Sequence, residues 1–304
     1  MMRASTTLFA AIGWTIVFAQ TTLPQVQDGP IVRLRGTLAK VHDTGEITLG
    51  YRANSFPFSY LDSTDHPIGY SIDLCGAIVA ALARAIDIPS VRTKFTRVTA
   101  QSRFPMVMTG EVDLECGVTT DSSEREQRAA FSPTTFVSGT KLMVQRGAGF
   151  KSIFDLKGKR VVSIDGTTNE EAVKFFNDRR KLGLTLLSVT DRAEGYAMVD
   201  EGRADAFAAD DVLLYAMIAQ HQAQRQFVVV GDYLSYDPYG LMFRRDDPQF
   251  RDLVQATFSE LAQNGDLVEI YHRWFIRRTP TGERLNLPMS PQLQEIWHAL
   301  GMPE

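Results

Sequence analysis

Two stretches of the chain alternate strand-like and helix-like segments in the same order, which limits the folds open to it. In the first stretch, residues 46–51, 91–98 and 112–116 have strand patterns. An amphipathic helix that Ser71 could cap, and a short helix at 104–109, lie between them. This β-α-β-α-β order predicts a mostly parallel, doubly wound sheet.

The second stretch predicts a second sheet of the same kind. Strand patterns at 159–164, 184–189 and 204–209 alternate with a helix entered through 166–169 and a helix at 195–201. About 285 residues remain without the first nineteen, which exceeds what one hydrophobic core usually organises. The sequence therefore predicts an α/β fold with two doubly wound, Rossmann-like lobes.

Two apolar segments, 139–145 and 239–243, lie at the ends of the second stretch and are interpreted as paired strands that cross between the lobes. The chain would leave lobe 1, build lobe 2 and return, with one amphipathic helix over 250–271 completing lobe 1. The expected boundaries are 37–138 and 239–304 for lobe 1, and 139–238 for lobe 2.

The first nineteen residues have the layout of a secretory signal. Arg3 precedes an apolar run over 8–19, and a polar stretch begins at Gln20. The run is shorter than the about 20 residues of a membrane-spanning helix, so an anchor is the less favoured alternative. We expect cleavage near Ala19 and a polar N-terminal arm over 20–36.

Charge and cysteine content fit an exported protein. The formal net charge is -4, and loss of the one arginine in the leader makes it -5, which argues against nucleic acid as a partner. The two cysteines, Cys75 and Cys116, favour one disulfide in an oxidising compartment. Two buried free thiols are the alternative.

Signatures of catalysis are scarce. The sequence has no Gly-x-Ser-x-Gly elbow, His-Glu-x-x-His motif, P-loop or dinucleotide fingerprint, and its five histidines are scattered. The adjacent Asp210 and Asp211 would point to different faces, which disfavours an acid–base pair. We expect neither a metal nor a cofactor.

Arginines follow the predicted strands where ligands usually bind. Arg52 comes after the first strand, Arg103 opens a helix, and Arg125 follows the turn at 116–121. Ligands of open parallel sheets bind beyond the carboxyl ends of the strands, and guanidinium groups grip carboxylates. The alternative for each arginine is an ordinary surface charge.

Two features of lobe 2 leave alternatives open. The turn 166–168 at a helix start suits a carboxylate, but it is also an ordinary helix cap. Asp210 at a strand end could receive an ammonium group, or it could cap the helix that begins near Val212.

With these motifs, the chain resembles the polar amino acid-binding proteins of ABC importers, and among them the glutamate/aspartate-binding branch. The resemblance runs from about residue 38 to 287, and the order and spacing of its motifs are specific. The motifs are 52–60 (RANSFPFSY), 69–75 (GYSIDLC), 99–103 (TAQSR), 113–120 (DLECGVTT), Glu124-Arg125 before Phe131-Ser132, 155–159 (DLKGK), 166–168 (GTT) and Asp210.

The resemblance implies a type II periplasmic-binding fold, a periplasmic location, a monomer and permease subunits as partners. It supports pairing Cys75 with Cys116. It also implies roles for residues of the cleft. Arg125 would bind the ligand α-carboxylate with Thr120 and the Thr168 amide, Asp210 the α-ammonium, and Arg52 and Arg103 an acidic side chain.

Three positions depart from the pattern of the family. Ala100 and Val118 stand where relatives have serines, so two hydroxyl contacts are missing, although Val118 stays in the expected site. Arg192 stands where they have a histidine, and it either adds a third guanidinium near the distal carboxylate or faces solvent. The ligand expected is L-glutamate or L-aspartate. The alternatives are a ligand sensor and a cyclohexadienyl (prephenate or arogenate) dehydratase on the same fold.

Overall fold

The structure is a computed structural model that describes residues 33–303, so the predicted signal peptide, its cleavage site and most of the N-terminal arm lie outside it. The helices are α1 (Gly36–Thr44), α2 (Tyr70–Ala85), α3 (Arg103–Thr109), α4 (Thr168–Arg180), α5 (Arg192–Asp200), α6 (Asp211–Gln220), α7 (Pro248–Gln263), α8 (Asp266–Tyr271) and α9 (Pro291–Ala299).

The strands alternate with these helices along the chain. They are β1 (Glu46–Tyr51), β2 (Asn54–Ser55), β3 (Ser59–Leu61), β4 (Pro67–Ile68), β5 (Arg92–Arg97), β6 (Leu114–Thr120), β7 (Ala130–Phe131), β8 (Phe136–Ser138), β9 (Thr140–Gln145), β10 (Arg160–Ile164), β11 (Thr185–Val189), β12 (Ala206–Asp210), β13 (Phe227–Val230) and β14 (Asp237–Phe243).

Lobe 1 is built on a sheet of strand order β5-β1-β6-β14-β7, with β8 also paired to β14. Strand β1 is parallel to β5 and β6, while β14 runs antiparallel to β6. Helices α2 and α7 contact each other on this lobe, and large aromatic side chains such as Tyr70, Phe58 and Trp297 fill its core. The first predicted sheet is confirmed.

Lobe 2 is built on a second sheet of strand order β11-β10-β12-β9-β13. Strand β10 is parallel to β11 and β12, and β9 is antiparallel to β12 and β13. The two-lobed α/β architecture is therefore confirmed. Across residues 33–303, no helix combines the length and apolar character needed to cross a bilayer.

The two crossings between the lobes differ from the expected pair of strands. Strand β9 pairs within lobe 2 and β14 within lobe 1, so these strands do not pair with each other. The crossing segments nevertheless touch, because the Leu234 N–H donates to the Thr140 carbonyl at 2.9 Å and the Thr140 N–H donates to the Ser235 hydroxyl at 3.0 Å. The contact lies at the junction of the lobes.

Helix α6 packs on both lobes because it is apolar on several faces. Val212, Leu213 and Ala216 belong to the core of lobe 1. Leu214 and Met217 belong to the core of lobe 2. A helix that is apolar around its circumference is normally buried on all sides. Helix α6 therefore joins the two cores.

Two predicted helix features are wrong in detail. Helix α2 begins after Gly69, and Ser71 does not cap it, since its hydroxyl donates to the Gly117 carbonyl at 2.7 Å. A Cβ at Gly69 would lie 2.2 Å from the Phe58 carbonyl oxygen, so only glycine fits. The helix expected over 250–271 is broken at Gly265, whose φ of 85° is left-handed.

The disulfide between Cys75 and Cys116 is confirmed, with sulfur atoms 2.15 Å apart, and it ties α2 to β6 inside lobe 1. Its two cysteines are separated by 41 positions along the chain. Closing a loop of this length restricts the unfolded chain.

Replacing both cysteines with alanine is expected to lower the free energy of unfolding by about 2–4 kcal/mol, because the unfolded chain regains its loop entropy. Urea unfolding followed by circular dichroism measures the change. Reducing agent should then have no further effect on the double variant, whereas it should destabilise the wild type. An unchanged urea midpoint in the double variant contradicts the prediction.

Candidate functional site

Residues of both lobes meet across the cleft that separates the sheets. Each contact joins one side chain of lobe 1 to one residue of lobe 2. The contacts are Gln101 Nε2 to the Asp165 carbonyl at 2.9 Å, Thr120 Oγ1 to Thr168 Oγ1 at 3.3 Å, and Arg192 Nη1 to Ser55 Oγ at 2.7 Å.

Three arginines of lobe 1 lie at this cleft because each follows a strand of the parallel part of the sheet. Arg52 comes directly after β1, Arg103 begins α3, and Arg125 begins a 3₁₀ turn after β6. Their exposed fractions lie between 3% and 9%, so none of the three is a surface charge. The carboxyl ends of parallel strands thus bring the predicted arginines together.

These guanidinium groups lie close enough to lower the pKa values of their neighbours. Burial lowers the pKa of Arg52 to about 9, and repulsion from Arg192 and Arg103 adds to the effect. Burial also lowers the pKa of Arg103 to about 10, with Arg125 contributing. All of them stay cationic at neutral pH, so the cleft holds concentrated positive charge.

A buried acid, Glu115, is linked to Arg103 through hydrogen bonds, and it was not singled out from the sequence. Arg103 Nη1 donates to Thr119 Oγ1 at 2.7 Å, and Thr119 in turn donates to Glu115 Oε2 at 2.8 Å. Glu115 is fully buried in β6, and its charge opposes the lowering of the pKa of Arg52 and Arg103. The available signal was an acidic residue inside an otherwise uncharged strand.

Asp210 ends β12 and is buried. Its side chain makes no capping bond to α6 and instead accepts a hydrogen bond from Asn169 Nδ2 at 2.8 Å. The capping alternative for Asp210 is therefore wrong. Burial raises the pKa of Asp210 to about 6, and the carboxylate of Asp237 contributes to this rise.

Neighbouring residues of the turn before α4 make different contacts. Thr167 is an ordinary cap whose Oγ1 accepts from the Glu170 N–H at 3.3 Å, and the Gly166 N–H donates to the Glu170 carboxylate at 3.2 Å. Thr168 begins the helix and contacts Thr120 across the cleft. The N–H groups of a first helical turn have no acceptor within the helix. The Thr168 amide is thus placed to meet an anion.

The three positions that depart from the family pattern are all buried. Ala100 packs with the core of lobe 2 although it belongs to lobe 1, and Val118 packs with the core of lobe 1. Arg192 is 7% exposed, so the solvent-facing alternative for it is wrong. Burial lowers the pKa of Arg192, while the charge of Asp210 opposes this.

Metal binding has no candidate in the part of the chain that the structure describes. Residues 33–303 contain no group of three or more histidine, cysteine or acidic side chains placed to hold an ion. The charged groups of the cleft are instead guanidinium and carboxylate, which suit a zwitterionic ligand with additional negative charge.

Two α/β lobes around a buried cationic cleft define a solute-binding protein with the type II periplasmic fold. The family of bacterial extracellular solute-binding proteins, family 3, matches residues 47–277, and the chain belongs to this family.

Relatives within the family bind amino acids. An L-glutamate/L-aspartate-binding protein of Pseudomonas aeruginosa is 40% identical over 92% of both chains. The glutamate/aspartate import solute-binding protein of Escherichia coli is 36% identical over 87% of this chain and 86% of its own. These relatives are binding proteins, so the chain is a solute-binding protein and not an enzyme.

A solved structure agrees with this fold. An ancestral amino acid-binding protein, described as a precursor of cyclohexadienyl dehydratase, is 27% identical and superposes with a TM-score of 0.70. The match covers 79% of this chain and 100% of the ancestral protein. The ancestral protein is itself named for binding an amino acid, in line with the binding class.

Proposed function

We propose that the protein binds L-glutamate or L-aspartate in the cleft and delivers it to the permease subunits of an ABC importer. The charge of the cleft carries the proposal. Its four buried arginines face three buried carboxylates, which leaves one positive charge. The carboxylates are Glu115, Asp210 and Asp237, the last of which accepts a hydrogen bond from Thr120 Oγ1 at 3.2 Å. An acidic amino acid has two carboxylates and one ammonium group, so its single negative charge matches.

The placement of each group supports one orientation of the ligand. Arg125, Thr120 and the Thr168 amide hold the α-carboxylate, and Asp210 receives the α-ammonium. The side-chain carboxylate lies between the remaining arginines. They are Arg52 and Arg103 from lobe 1 and Arg192 from lobe 2, with Val118 lining the pocket beside Arg103.

Neutral amino acids are disfavoured by the same groups. A glutamine side chain offers no charge to Arg52 and Arg103, which would stay buried without a full counter-charge. An uncompensated buried charge destabilises a complex by several kcal/mol. The names of the relatives, which refer to glutamate and aspartate, support this selectivity.

We further propose that the protein acts as a monomer in the periplasm, after removal of its signal peptide near Ala19. Lobe 1 then comprises 37–138 and 239–304, and lobe 2 comprises 139–238. The lobes close around the ligand by bending at the two crossings, where Thr140 meets Leu234 and Ser235.

Titration calorimetry on the mature protein tests the proposal. Saturable heat is expected with glutamate or aspartate, and little with glutamine or arginine. Absence of heat from both acids would overturn it. Incubation with prephenate provides the test of the dehydratase alternative, and formation of phenylpyruvate would contradict the binding class.

Binding of glutamate is expected to weaken about tenfold between pH 7 and pH 5, because a carboxyl with a pKa of about 6 is then mostly protonated. A protonated Asp210 cannot pair with the α-ammonium, so affinity is lost as the pH falls through that value. The glutamate side chain, with a pKa of about 4.3, remains mostly ionised over this range. Calorimetry between pH 5 and pH 8 measures the effect.

Asp210→Asn is the matched control for this pH dependence. The variant is expected to bind weakly at neutral pH and to show a flat profile between pH 5 and pH 8. A wild-type slope in the variant would assign the titration to another group, such as Asp121, whose pKa burial also raises to about 6.

A further inference from the structure

Arg192 is the one arginine of the described cleft cluster that lobe 2 supplies. It begins α5, whose first turn is capped by Asp191, so its backbone is fixed on lobe 2. Its guanidinium reaches lobe 1, where Nη1 donates to the hydroxyl of the fully buried Ser55 at 2.7 Å. Its Nε is buried and has no hydrogen-bond partner among residues 33–303. On lobe 1 the side chain thus has one neutral hydrogen-bond partner, while the carboxylates that favour its charge, Asp191 and Asp210, belong to lobe 2.

The charges that Arg192 meets on lobe 1 are mainly of its own sign. It lowers the pKa of both Arg52, which follows β1, and Arg103, which begins α3. Repulsion between two like charges is mutual, so these two groups oppose the approach of Arg192. The nearby acid Glu115 already accepts a hydrogen bond from Thr119 within lobe 1. Bringing the lobes together therefore adds a fourth guanidinium group to the three of lobe 1.

We propose that Arg192 makes closure of the two lobes depend on the charge of the ligand side chain, with Ser55 as its docking partner. A ligand carboxylate between Arg192, Arg52 and Arg103 attracts all three guanidinium groups and offsets the repulsion among them. A neutral side chain leaves the repulsion in place, so the lobes stay apart.

The inference rests on the proposed function, because it concerns the same ligand and the same cleft. It assigns the selectivity for acidic ligands to closure of the two lobes, and not to the initial contact of the ligand with lobe 1. A ligand shifts a conformational equilibrium only by its difference in affinity for the two states. Glutamate and glutamine differ in the group that meets Arg192, so their power to close the lobes should differ.

Pulsed electron–electron resonance between two spin labels measures closure directly. Ala80→Cys on α2 and Asp178→Cys on α4 place one label on the surface of each lobe, since both positions are exposed. The native cysteines are joined in the disulfide, so they do not take the label. The label distance in the structure described here, with its contacts across the cleft, defines the closed population.

Arg192→Gln is expected to raise the closed population without ligand by at least about threefold, because two repulsive interactions disappear. Glutamine should then close the variant at concentrations that leave the wild type open. Arg192→Lys retains the charge and should keep the lobes apart as in the wild type. A merely structural role for Arg192 would affect the lysine and glutamine variants alike.

Arg225→Gln is the matched control. It removes the same charge from lobe 2 at an exposed position that forms no hydrogen bond or ion pair with the described residues. Its closed populations should equal those of the wild type. Ser55→Ala should reduce the closed population reached with glutamate, because Arg192 loses its docking partner.

The proposal is overturned if Arg192→Gln and Arg225→Gln have the same closed population without ligand and the same response to glutamine. Failure of the proposed function has a different signature. In that case glutamate neither binds nor closes the wild type, while the comparison of unliganded variants still reports the repulsion. A thermal melt of Arg192→Lys and Arg192→Gln shows whether both variants are folded.

Discussion

Arg125→Ala is expected to weaken binding of every amino acid ligand by about 2–5 kcal/mol, or about 30- to 5,000-fold in Kd. The α-carboxylate that Arg125 is proposed to hold is common to all amino acids. Its guanidinium is buried, and Nη1 donates to the Thr120 carbonyl at 3.1 Å, which fixes its position at the end of β6. Glutamate should therefore lose about as much affinity as any weaker ligand. Calorimetry with glutamate, aspartate and glutamine measures the three losses.

Arg128→Ala provides a close control for this variant. Arg128 and Arg125 both lie over the ring of Phe104, at 4.9 and 5.7 Å from its centre. Arg128 is exposed, however, and stands outside the cleft cluster. Loss of the contact with Phe104 alone should leave binding unchanged. Wild-type affinity in Arg125→Ala, or an equal loss in both variants, would contradict the role of Arg125.

The sheets were predictable because they depend on local patterns. Buried strands are apolar runs of a few residues, and helices repeat their apolar positions at three or four residues. The start of α2 was not predictable from such patterns. Serine is a residue that often caps helices, but the Ser71 hydroxyl donates to the carbonyl of Gly117, which is distant in the sequence. The cap position instead needed a glycine, because Phe58 leaves no room for a Cβ at Gly69.

The break between α7 and α8 shows a second limit of pattern reading. The apolar positions of 250–271 continue through the break, so the periodicity alone predicts one helix. Gly265 takes a left-handed conformation there, which ends the continuous hydrogen bonding. A glycine inside a periodic segment is compatible with either outcome, so the pattern alone does not predict the break.

Some features of the cleft were likewise predictable from the sequence, and others were not. Arg52, Arg103 and Arg125 were predictable because the ends of parallel strands meet at one edge of a sheet. The contacts between side chains of different lobes were not predictable. Ser55 and Arg192 are 137 positions apart and meet only when the lobes approach each other. Contacts between lobes depend on hinge geometry, which no local pattern encodes.

Arg103→Ala is expected to remove the preference for acidic ligands. Glutamate binding should weaken by about 2–5 kcal/mol, whereas glutamine, which offers Arg103 no charge, should lose less than about 1 kcal/mol. The hydrogen bonds from Arg103 to Thr119 and from Thr119 to Glu115 hold this guanidinium in place on lobe 1. Calorimetry with the two ligands gives the difference directly. Arg97→Ala, at an exposed position of β5, is the control for a lost positive charge on the same lobe.

The comparison with Arg125→Ala separates the two proposed roles. Arg125→Ala should weaken the binding of both ligands equally, because both carry the same α-carboxylate, while Arg103→Ala should act mainly on glutamate. In Arg103→Ala the buried Glu115 also loses the cation that its hydrogen bonds reach through Thr119, so a carboxylate ligand meets additional repulsion. Both effects lower the affinity for glutamate and spare glutamine. Equal losses for glutamate and glutamine in Arg103→Ala would show that acidic selectivity arises elsewhere in the cleft.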